Sequence, residues 1–206
     1  MCSSSKVSVI VPTHEKRDLW DLKWHLQFTT TYKNTELIIV NEGLERSQQR
    51  NIGVERSSGE YLLFLDSDMI PHHSLIENCV DLCNVRKVDA LYIPEIIVGH
   101  PVKTWFRQFY NGSKVDAIRF IRRSEYVPFD ENLTGVEDWD WDRRTLCEKG
   151  MAYYPIYHRT KGSLGRKLFY YSKWIKAYKQ KHPDCPALSP VYRLKLILGG
   201  IWKKIF

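Results

Sequence analysis

Two aspartates, Asp66 and Asp68, follow the apolar segment at residues 61–65 with one serine between them. Side chains alternate along a strand, so the two carboxylates leave the end of this segment on the same side. Carboxylates this close repel each other unless a cation lies beside them. Mg²⁺ and Mn²⁺ prefer such oxygen ligands, and Mg²⁺ commonly completes its shell with phosphate and water. The spacing therefore indicates a cation–diphosphate site, although an isolated pair of this kind more often caps the following helix.

A second acidic group stands in the segment GVEDWDWDRR at residues 135–144. Glu137 and Asp138 fall in the first turn of a predicted helix, where the helix dipole stabilises carboxylates. A purely structural role would therefore also account for these two residues. Gly135 gives the backbone extra conformational freedom just before that helix. The remaining charged residues of the segment are expected to be solvated and to pair with one another: Asp140, Asp142, Arg143 and Arg144.

The elements that position these groups alternate between strand and helix in the first half of the chain. Short β-branched and apolar segments predict four strands, at residues 6–12, 35–43, 60–68 and 88–98. Helical spacing of apolar residues predicts three helices, at 17–28, 44–59 and 74–85. This order predicts an α/β fold with a mostly parallel sheet flanked by helices. Ligands bind such sheets at the carboxyl ends of the strands, so one edge is expected to hold residues 12–15, 41–43 and 66–68.

The second half of the chain is less regular. Residues 100–123 are aromatic and basic, and we predict a loop that leads into a helix. A loop and a helix are predicted at 132–150, and a strand at 151–158. A long basic helix at 163–182 and a basic amphipathic tail at 192–206 follow.

Four segments carry a resemblance through their order and spacing: SVIVPTHE, ELIIVNEG, RNIGVERSSGEYLLFLDSD and TGVEDWDWDRR. Together they resemble the family 2 glycosyltransferases, which have the Rossmann-like GT-A fold, over residues 6–160. The resemblance implies a UDP- or GDP-linked sugar donor held with Mn²⁺ or Mg²⁺, and transfer to an acceptor hydroxyl, usually with inversion at the anomeric carbon. It also implies a catalytic domain at 1–160, with a nucleotide-binding half at 1–98 and an acceptor half at 99–160. A basic, amphipathic helical extension at 161–206 would follow.

The resemblance assigns the donor nucleotide to the ends of the first two strands. Pro12, Thr13 and Glu15 match the loop that approaches the nucleotide in the family. Asn41 and Glu42 match a site that usually holds two aspartates, the first of which contacts the base or ribose. Asn can still hydrogen-bond a base or a hydroxyl, but it lacks the charge. The departure therefore leaves the identity of the nucleotide open.

The resemblance also assigns the ribose, diphosphate and metal. Arg50 and Asn51 match the RN-x-G segment, so Arg50 is expected to reach the base or the phosphates; the alternative is a helix-surface arginine. Asp66 matches the residue that contacts ribose, and Asp68 matches the metal ligand. His158 matches a histidine that in many members meets the metal or the diphosphate. Its alternative role is that of a partly buried histidine with a backbone partner.

The resemblance makes Asp138 the general base, which removes a proton from the acceptor hydroxyl as that oxygen attacks the anomeric carbon. Glu137 would lie beside it and orient the acceptor or the base. Three aromatic residues of the segment before it could stack on sugar faces or belong to the core: Trp105, Phe106 and Tyr110.

The formal net charge of the 206 residues is +7, and the positive charge is concentrated from Arg159 onward. In the tail at 192–206, basic residues alternate with Leu, Ile, Trp and Phe, which is typical of a helix in an anionic membrane interface. The alternative is a terminal helix docked on the domain. We expect a glycan or lipid-linked acceptor and, because the basic charge is local, no nucleic-acid partner.

The five cysteines include no C-x-x-C pair and no metal-ligand spacing, which favours a reducing compartment. The amino-terminal residues lack a signal-peptide pattern, and no stretch approaches the length of a spanning helix. We therefore expect a cytoplasmic protein, peripheral on the cytoplasmic face of the membrane.

Two other classes of function fit parts of the pattern. A catalytically silent sugar-nucleotide-binding or scaffold protein could use the same fold, but it has no need to keep all four acidic residues of the two motifs. A metal-dependent nuclease or phosphoesterase would suit the basic charge, but such sites gather more carboxylates or histidines around two metals. No third acidic cluster is evident in the sequence.

Overall fold

The structure is a computed structural model that describes residues 5–14, 18–99, 118–133, 135–159, 174 and 176–183. Its strands are β1 (Val7–Pro12), β2 (Thr35–Val40), β3 (Tyr61–Phe64), β4 (Met69–Pro71), β5 (Ala90–Tyr92), β6 (Glu95–Ile97), β7 (Ile118–Arg122), β8 (Lys149–Met151) and β9 (Ile156–His158). Its helices are α1 (Trp20–Trp24), which continues as a π-helix (His25–Thr29), α2 (Arg46–Arg56), α3 (Leu75–Arg86), a 3₁₀ turn (Arg123–Glu125) and α4 (Glu137–Arg144).

Within the described residues the strands form two sheets. The larger sheet has six strands in the order β2-β1-β3-β7-β5-β8, in which β1 pairs in parallel with β2 and β3. β7 is antiparallel to both of its neighbours, and β5 and β8 are parallel. The smaller sheet has three strands in the order β4-β9-β6. The predicted α/β fold, a mostly parallel sheet flanked by helices, is therefore confirmed.

The core lies on both faces of the large sheet because side chains alternate along its buried strands. Val9 and Leu63 face one layer, together with buried residues of α1 and α3. Ile10 and Phe64 face the other layer, where they pack with Trp141 of α4. This three-layer arrangement brings α2 and α4 to the same side of the sheet.

Gly53 allows α2 to lie directly on the sheet. A Cβ atom at this position would stand 2.4 Å from Cγ2 of Ile10, well inside van der Waals contact. The close approach holds the amino-terminal half of α2, which carries Arg50, against the carboxyl ends of β1 and β2.

The prediction of a helix within residues 100–123 is wrong for the part that the structure describes, because residues 118–122 form strand β7. This strand lies between β3 and β5 and so finds backbone partners on both sides. Four of the five residues of IRFIR are buried, as expected for a central strand that is covered on both faces. The region predicted as one strand at 88–98 is also two strands, β5 and β6, which belong to different sheets.

The described part of the predicted extension packs on α4. Residues 176–181 are helical, and Tyr178 is buried against Leu133 and Val136. Asp140, predicted to be solvated, is completely buried and pairs with Arg144, Lys181 and His182. The expectation of a solvated Asp140 is therefore wrong, although its predicted pairing with an arginine of the same helix is confirmed.

Other parts of the extension, including the tail at 192–206, lie outside the described residues, as do Glu15, Trp105, Phe106 and Tyr110. Across the part of the chain that the structure describes, none of the helices has both the length and the apolar character needed to cross a bilayer.

Candidate active site

The carboxyl ends of β1 and β2 border a small cavity. Pro12 is paired with Val40 in the parallel register, so Thr13 and Asn41 emerge side by side. A cavity of about 220 Å³ opens beside them, and its lining residues are Thr13, His14, Asp18, Leu19, Lys23, Ile39 and Asn41. The structure thus brings together two of the residues expected to meet the nucleotide.

Glu42 and Asn51 lie apart from this cavity and have protein partners. The exposed Glu42 carboxylate accepts hydrogen bonds from Arg56 at 3.0 Å. The amide of Asn51 donates to the Phe129 carbonyl and to Glu131, while its oxygen accepts from the Tyr126 hydroxyl and the Phe129 amide. All four hydrogen-bonding positions of the Asn51 amide are thus filled within the protein, and they tie α2 to the loop before α4.

Arg50 joins the two acidic motifs. Its guanidinium is buried, with Nη1 donating to Asp138 Oδ1 at 2.5 Å and lying 3.4 Å from Glu137 Oε1. Nη2 donates to Asp66 Oδ1 at 3.1 Å. The alternative role for Arg50, that of a helix-surface arginine, is therefore wrong. The Arg50 guanidinium thus holds Asp66, which follows β3, and the two carboxylates of α4 in a single site.

The carboxylates around Arg50 differ in their environments. Burial alone would raise the pKa of Asp66, but Arg119, Arg50 and Arg46 together hold it well below its usual value. Burial and the adjacent Asp138 carboxylate raise the pKa of Glu137, against the opposing effect of Arg50 and Arg46. The Glu137 side chain is only 3% exposed, whereas that of Asp138 is 30% exposed. Of these two carboxylates, Asp138 is therefore the more accessible.

The local chain path explains this placement. Gly135 has φ of +85°, a left-handed conformation that glycine adopts without strain, and it turns the chain into α4. Glu137 and Asp138 occupy the first turn, as predicted, where their charges are stabilised by the helix dipole.

The small sheet places His158 beside Asp68. β4 begins immediately after Asp68, and Met69 is paired with His158 of β9. The Arg159 amide donates to the Asp68 carbonyl at 2.8 Å, which closes the corner. His158 Nε2 thereby lies 3.3 Å from Asp68 Oδ1. Burial opposes protonation of this ring, but the hydrogen bonds and charges of Asp68 and Glu95 raise the pKa of His158.

The geometry of Asp68 and His158 fits a divalent cation. Two ligands about 2.1 Å from Mg²⁺ in adjacent octahedral positions stand about 3 Å apart, close to the 3.3 Å observed. Among the described residues no group of three His, Cys, Asp or Glu side chains could hold a cation alone. A cation bound by Asp68 and His158 would thus take its remaining ligands from phosphate or water, as Mg²⁺ commonly does.

Glu95 and Arg119 also belong to the site, although neither was identified from the sequence. Arg119 Nη2 donates to Glu95 Oε1 at 2.7 Å and lies 3.8 Å from Asp66 Oδ2. Glu95 Oε2 lies 3.2 Å from His158 Nδ1. The available signal was a single acidic residue in the apolar segment IPEIIV, and a single arginine inside IRFI.

The sequence is similar to those of known glycosyltransferases. The sequence profile of "Glycosyl transferase family 2" matches residues 24–181. The chain is 41% identical to Glycosyltransferase AglE of Haloferax volcanii over 65 residues, which are 32% of this chain and 21% of AglE. The match thus spans about a fifth of the length of that relative.

Solved structures show the same fold. Mannosyltransferase PcManGT from Pyrobaculum calidifontis, in complex with GDP-Man and Mn²⁺, superposes with a TM-score of 0.68 at 14% identity, over 96% of this chain and 70% of that one. TarS 1-349 of S. aureus, in complex with UDP-GlcNAc, superposes with a TM-score of 0.61 at 16% identity, over 82% and 66%. The architecture is that of the GT-A glycosyltransferases.

Proposed function

Because the chain belongs to glycosyltransferase family 2, we propose that it is an inverting transferase that moves a sugar from a nucleotide-diphosphate donor to an acceptor hydroxyl. The observation that carries the proposal is the Arg50 cluster, which joins Asp66 at the end of β3 to Asp138 at the start of α4. A donor bound along the strand ends would have its sugar beside an accessible carboxylate. That is the arrangement an inverting displacement needs.

Asp138 acts as the general base in this proposal. It takes the proton of the acceptor hydroxyl while the acceptor oxygen forms its bond to the anomeric carbon, and the bond from that carbon to the diphosphate oxygen breaks with its electron pair. Arg50 aims the Asp138 carboxylate through its 2.5 Å hydrogen bond. Glu137, buried behind Asp138, orients Arg50 and does not itself reach the acceptor.

The donor contacts follow from the same geometry. Thr13 and Asn41 border the cavity that would take the base and ribose, and Pro12 ends the strand that leads there. Asp66 faces the ribose. Asn51 serves the donor indirectly by fixing the register of α2, because its own hydrogen bonds are used within the protein. Glu42, paired with Arg56, and Glu15 remain predicted members of the nucleotide side.

Asp68 and His158 would hold a divalent cation, Mn²⁺ or Mg²⁺. When bound, such a cation stabilises the negative charge that develops on the leaving diphosphate. The charge of the site supports this, since the described part of it holds five carboxylates (Asp66, Asp68, Glu95, Glu137 and Asp138) and three arginines (Arg46, Arg50 and Arg119).

Calorimetric titration with UDP and GDP, with and without Mn²⁺, tests the proposal. We expect one nucleoside diphosphate to bind with Mn²⁺ and to bind at least about tenfold more weakly without it, because a cation held by Asp68 and His158 would supply positive charge for the diphosphate. Hydrolysis or transfer of the matching nucleotide-sugar would then separate an enzyme from a catalytically silent binding protein. If neither nucleotide binds in the presence of Mn²⁺, the transferase proposal fails.

Peripheral attachment to an anionic membrane, next to a lipid-linked glycan acceptor, is part of the same proposal. Its support among the described residues is a ridge of exposed aromatic rings along α1 and the π-helix, Trp20, Trp24 and Phe28, which we call the aromatic ridge. Their ring centroids are 6.3 and 5.9 Å apart along the ridge. Exposed Trp and Phe rings on a chain of net charge +7 suit an anionic lipid interface.

Changing all three ridge residues to Ser is expected to lower co-sedimentation with anionic lipid vesicles by about tenfold or more at low salt, because the rings supply apolar burial. The matched control changes three other exposed apolar residues, Leu44, Val85 and Leu146, to Ser. Equal loss in both variants would rule out a specific role for the ridge. Failure of the unaltered chain to bind the vesicles would remove membrane attachment altogether.

A further inference from the structure

His158 has a carboxylate at each of its ring nitrogens. Nε2 faces Asp68 Oδ1 at 3.3 Å, and Nδ1 faces Glu95 Oε2 at 3.2 Å. The ring is buried, so these two contacts decide which nitrogen carries a proton. A neutral histidine can bind a cation through only one nitrogen, and the hydrogen bond made by the other nitrogen selects which one.

Glu95 is held rigidly on its other side. Arg119 donates from Nε at 3.0 Å and from Nη2 at 2.7 Å to the same oxygen, Oε1. Charge-assisted hydrogen bonds of this kind are strong and directional. They leave Oε2 as the atom that faces the imidazole.

The register of the small sheet aligns the pair. β6 runs parallel to β9, with Glu95 opposite Ile156 and Ile97 opposite His158. Side chains two residues apart on a strand point to the same face, so Glu95 and His158 lie on one face of adjacent strands. The contact is therefore built into two strands rather than into a loop.

We propose that Glu95, fixed by Arg119, is a positioning residue for the cation site. It accepts a hydrogen bond from Nδ1–H of His158 and so presents the lone pair of Nε2 to a cation that Asp68 also binds. A carboxylate behind a histidine ligand orients the ring and increases its basicity as a ligand. The inference rests on the proposed function, because it concerns the cation of that site.

Mn²⁺ affinity, measured by calorimetry at a fixed saturating concentration of the nucleoside diphosphate, tests the inference. Glu95→Gln is expected to weaken Mn²⁺ binding by about 10- to 100-fold, the range found when such outer partners are removed. The matched control is Glu36→Gln, which alters a hydrogen-bonded strand carboxylate that accepts from Ser8 and Ser58. It should lower stability without changing the Mn²⁺ affinity.

A second arm uses the His158→Ala background, in which Glu95→Gln should cause no further loss of Mn²⁺ affinity. If the Glu95→Gln variant binds Mn²⁺ as tightly as the unaltered protein, the positioning role is wrong while the proposed function stands. The same holds if Glu95→Gln lowers the Mn²⁺ affinity equally in the His158→Ala background. If the unaltered protein binds nucleotide but neither Mn²⁺ nor Mg²⁺, the positioning role and the proposed cation site are both wrong. Should Glu95→Gln fail to fold, nitrogen NMR of the unaltered protein with Mg²⁺ and nucleotide decides: a proton on Nδ1 supports the inference and a proton on Nε2 overturns it.

Discussion

Asp138→Asn is expected to lower the rate of sugar transfer by about 10²- to 10⁴-fold, the usual contribution of a general base. Asn cannot accept the proton of the acceptor hydroxyl, but it can still accept the hydrogen bond from Arg50. The donor and cation contacts lie on other elements, so the dissociation constant of the nucleotide should change by less than about threefold. Single-turnover transfer assays and calorimetry together measure both quantities.

The matched control for Asp138→Asn is Asp142→Asn, one turn further along α4. Asp142 binds the Tyr92 hydroxyl and Lys149, away from Arg50, so its replacement should leave the transfer rate nearly unchanged. Undiminished transfer by Asp138→Asn would remove this residue from the role of base. A parallel loss of nucleotide binding would show that its role lies in the donor site.

Arg50→Met is expected to lower the free energy of unfolding by about 3–5 kcal/mol at neutral pH, because removing one partner of a buried ion pair leaves uncompensated charge. Arg50 contacts three carboxylates, of which Asp66 and Glu137 have little exposure. Arg46 and Arg119 remain near them only at 3.8–3.9 Å. Denaturant titration measures the change.

The effect of Arg50→Met should depend on pH with a defined sign. Arg50 helps to keep the pKa of Asp66 below its unfolded value of about 4, so its stabilising effect is fully present above about pH 4 and is lost as the pH falls from there through the lower pKa of the folded protein. The difference between the two proteins is therefore largest near pH 7 and shrinks in acid.

Arg56→Met provides the matched control on the same helix. Its pair with Glu42 is exposed, and such pairs contribute about 0–1 kcal/mol. A loss for Arg50→Met no larger than for Arg56→Met, or a loss that grows as the pH falls, would contradict the ion-pair account.

Local patterns were enough to predict the elements that begin the fold. The β-branched segment of β1 and the helix α2 are short-range features, and each is found where the sequence predicts it. The acidic first turn of α4 was predicted for the same reason. These features depend on residues that are neighbours in the chain.

Other parts of the site depend on pairing between distant segments, which no local pattern encodes. Residues 118–122 form a strand because they fill the space between β3 and β5. Glu95 and Arg119 are 24 residues apart and meet only through that strand. Arg50 likewise meets Asp138 across 88 residues, so its role as a bridge within the protein could not be predicted from RN-x-G alone.

The docking of residues 176–182 on α4 has a consequence for how this protein is made. Asp140 has three side-chain partners, two of which, Lys181 and His182, are synthesised about forty residues later. During translation the helix that carries Asp138 therefore emerges before the groups that enclose its buried face. A nascent chain halted near residue 160 would hold the nucleotide-side strands but lack Lys181 and His182, so the helix that carries Asp138 would be only partly anchored.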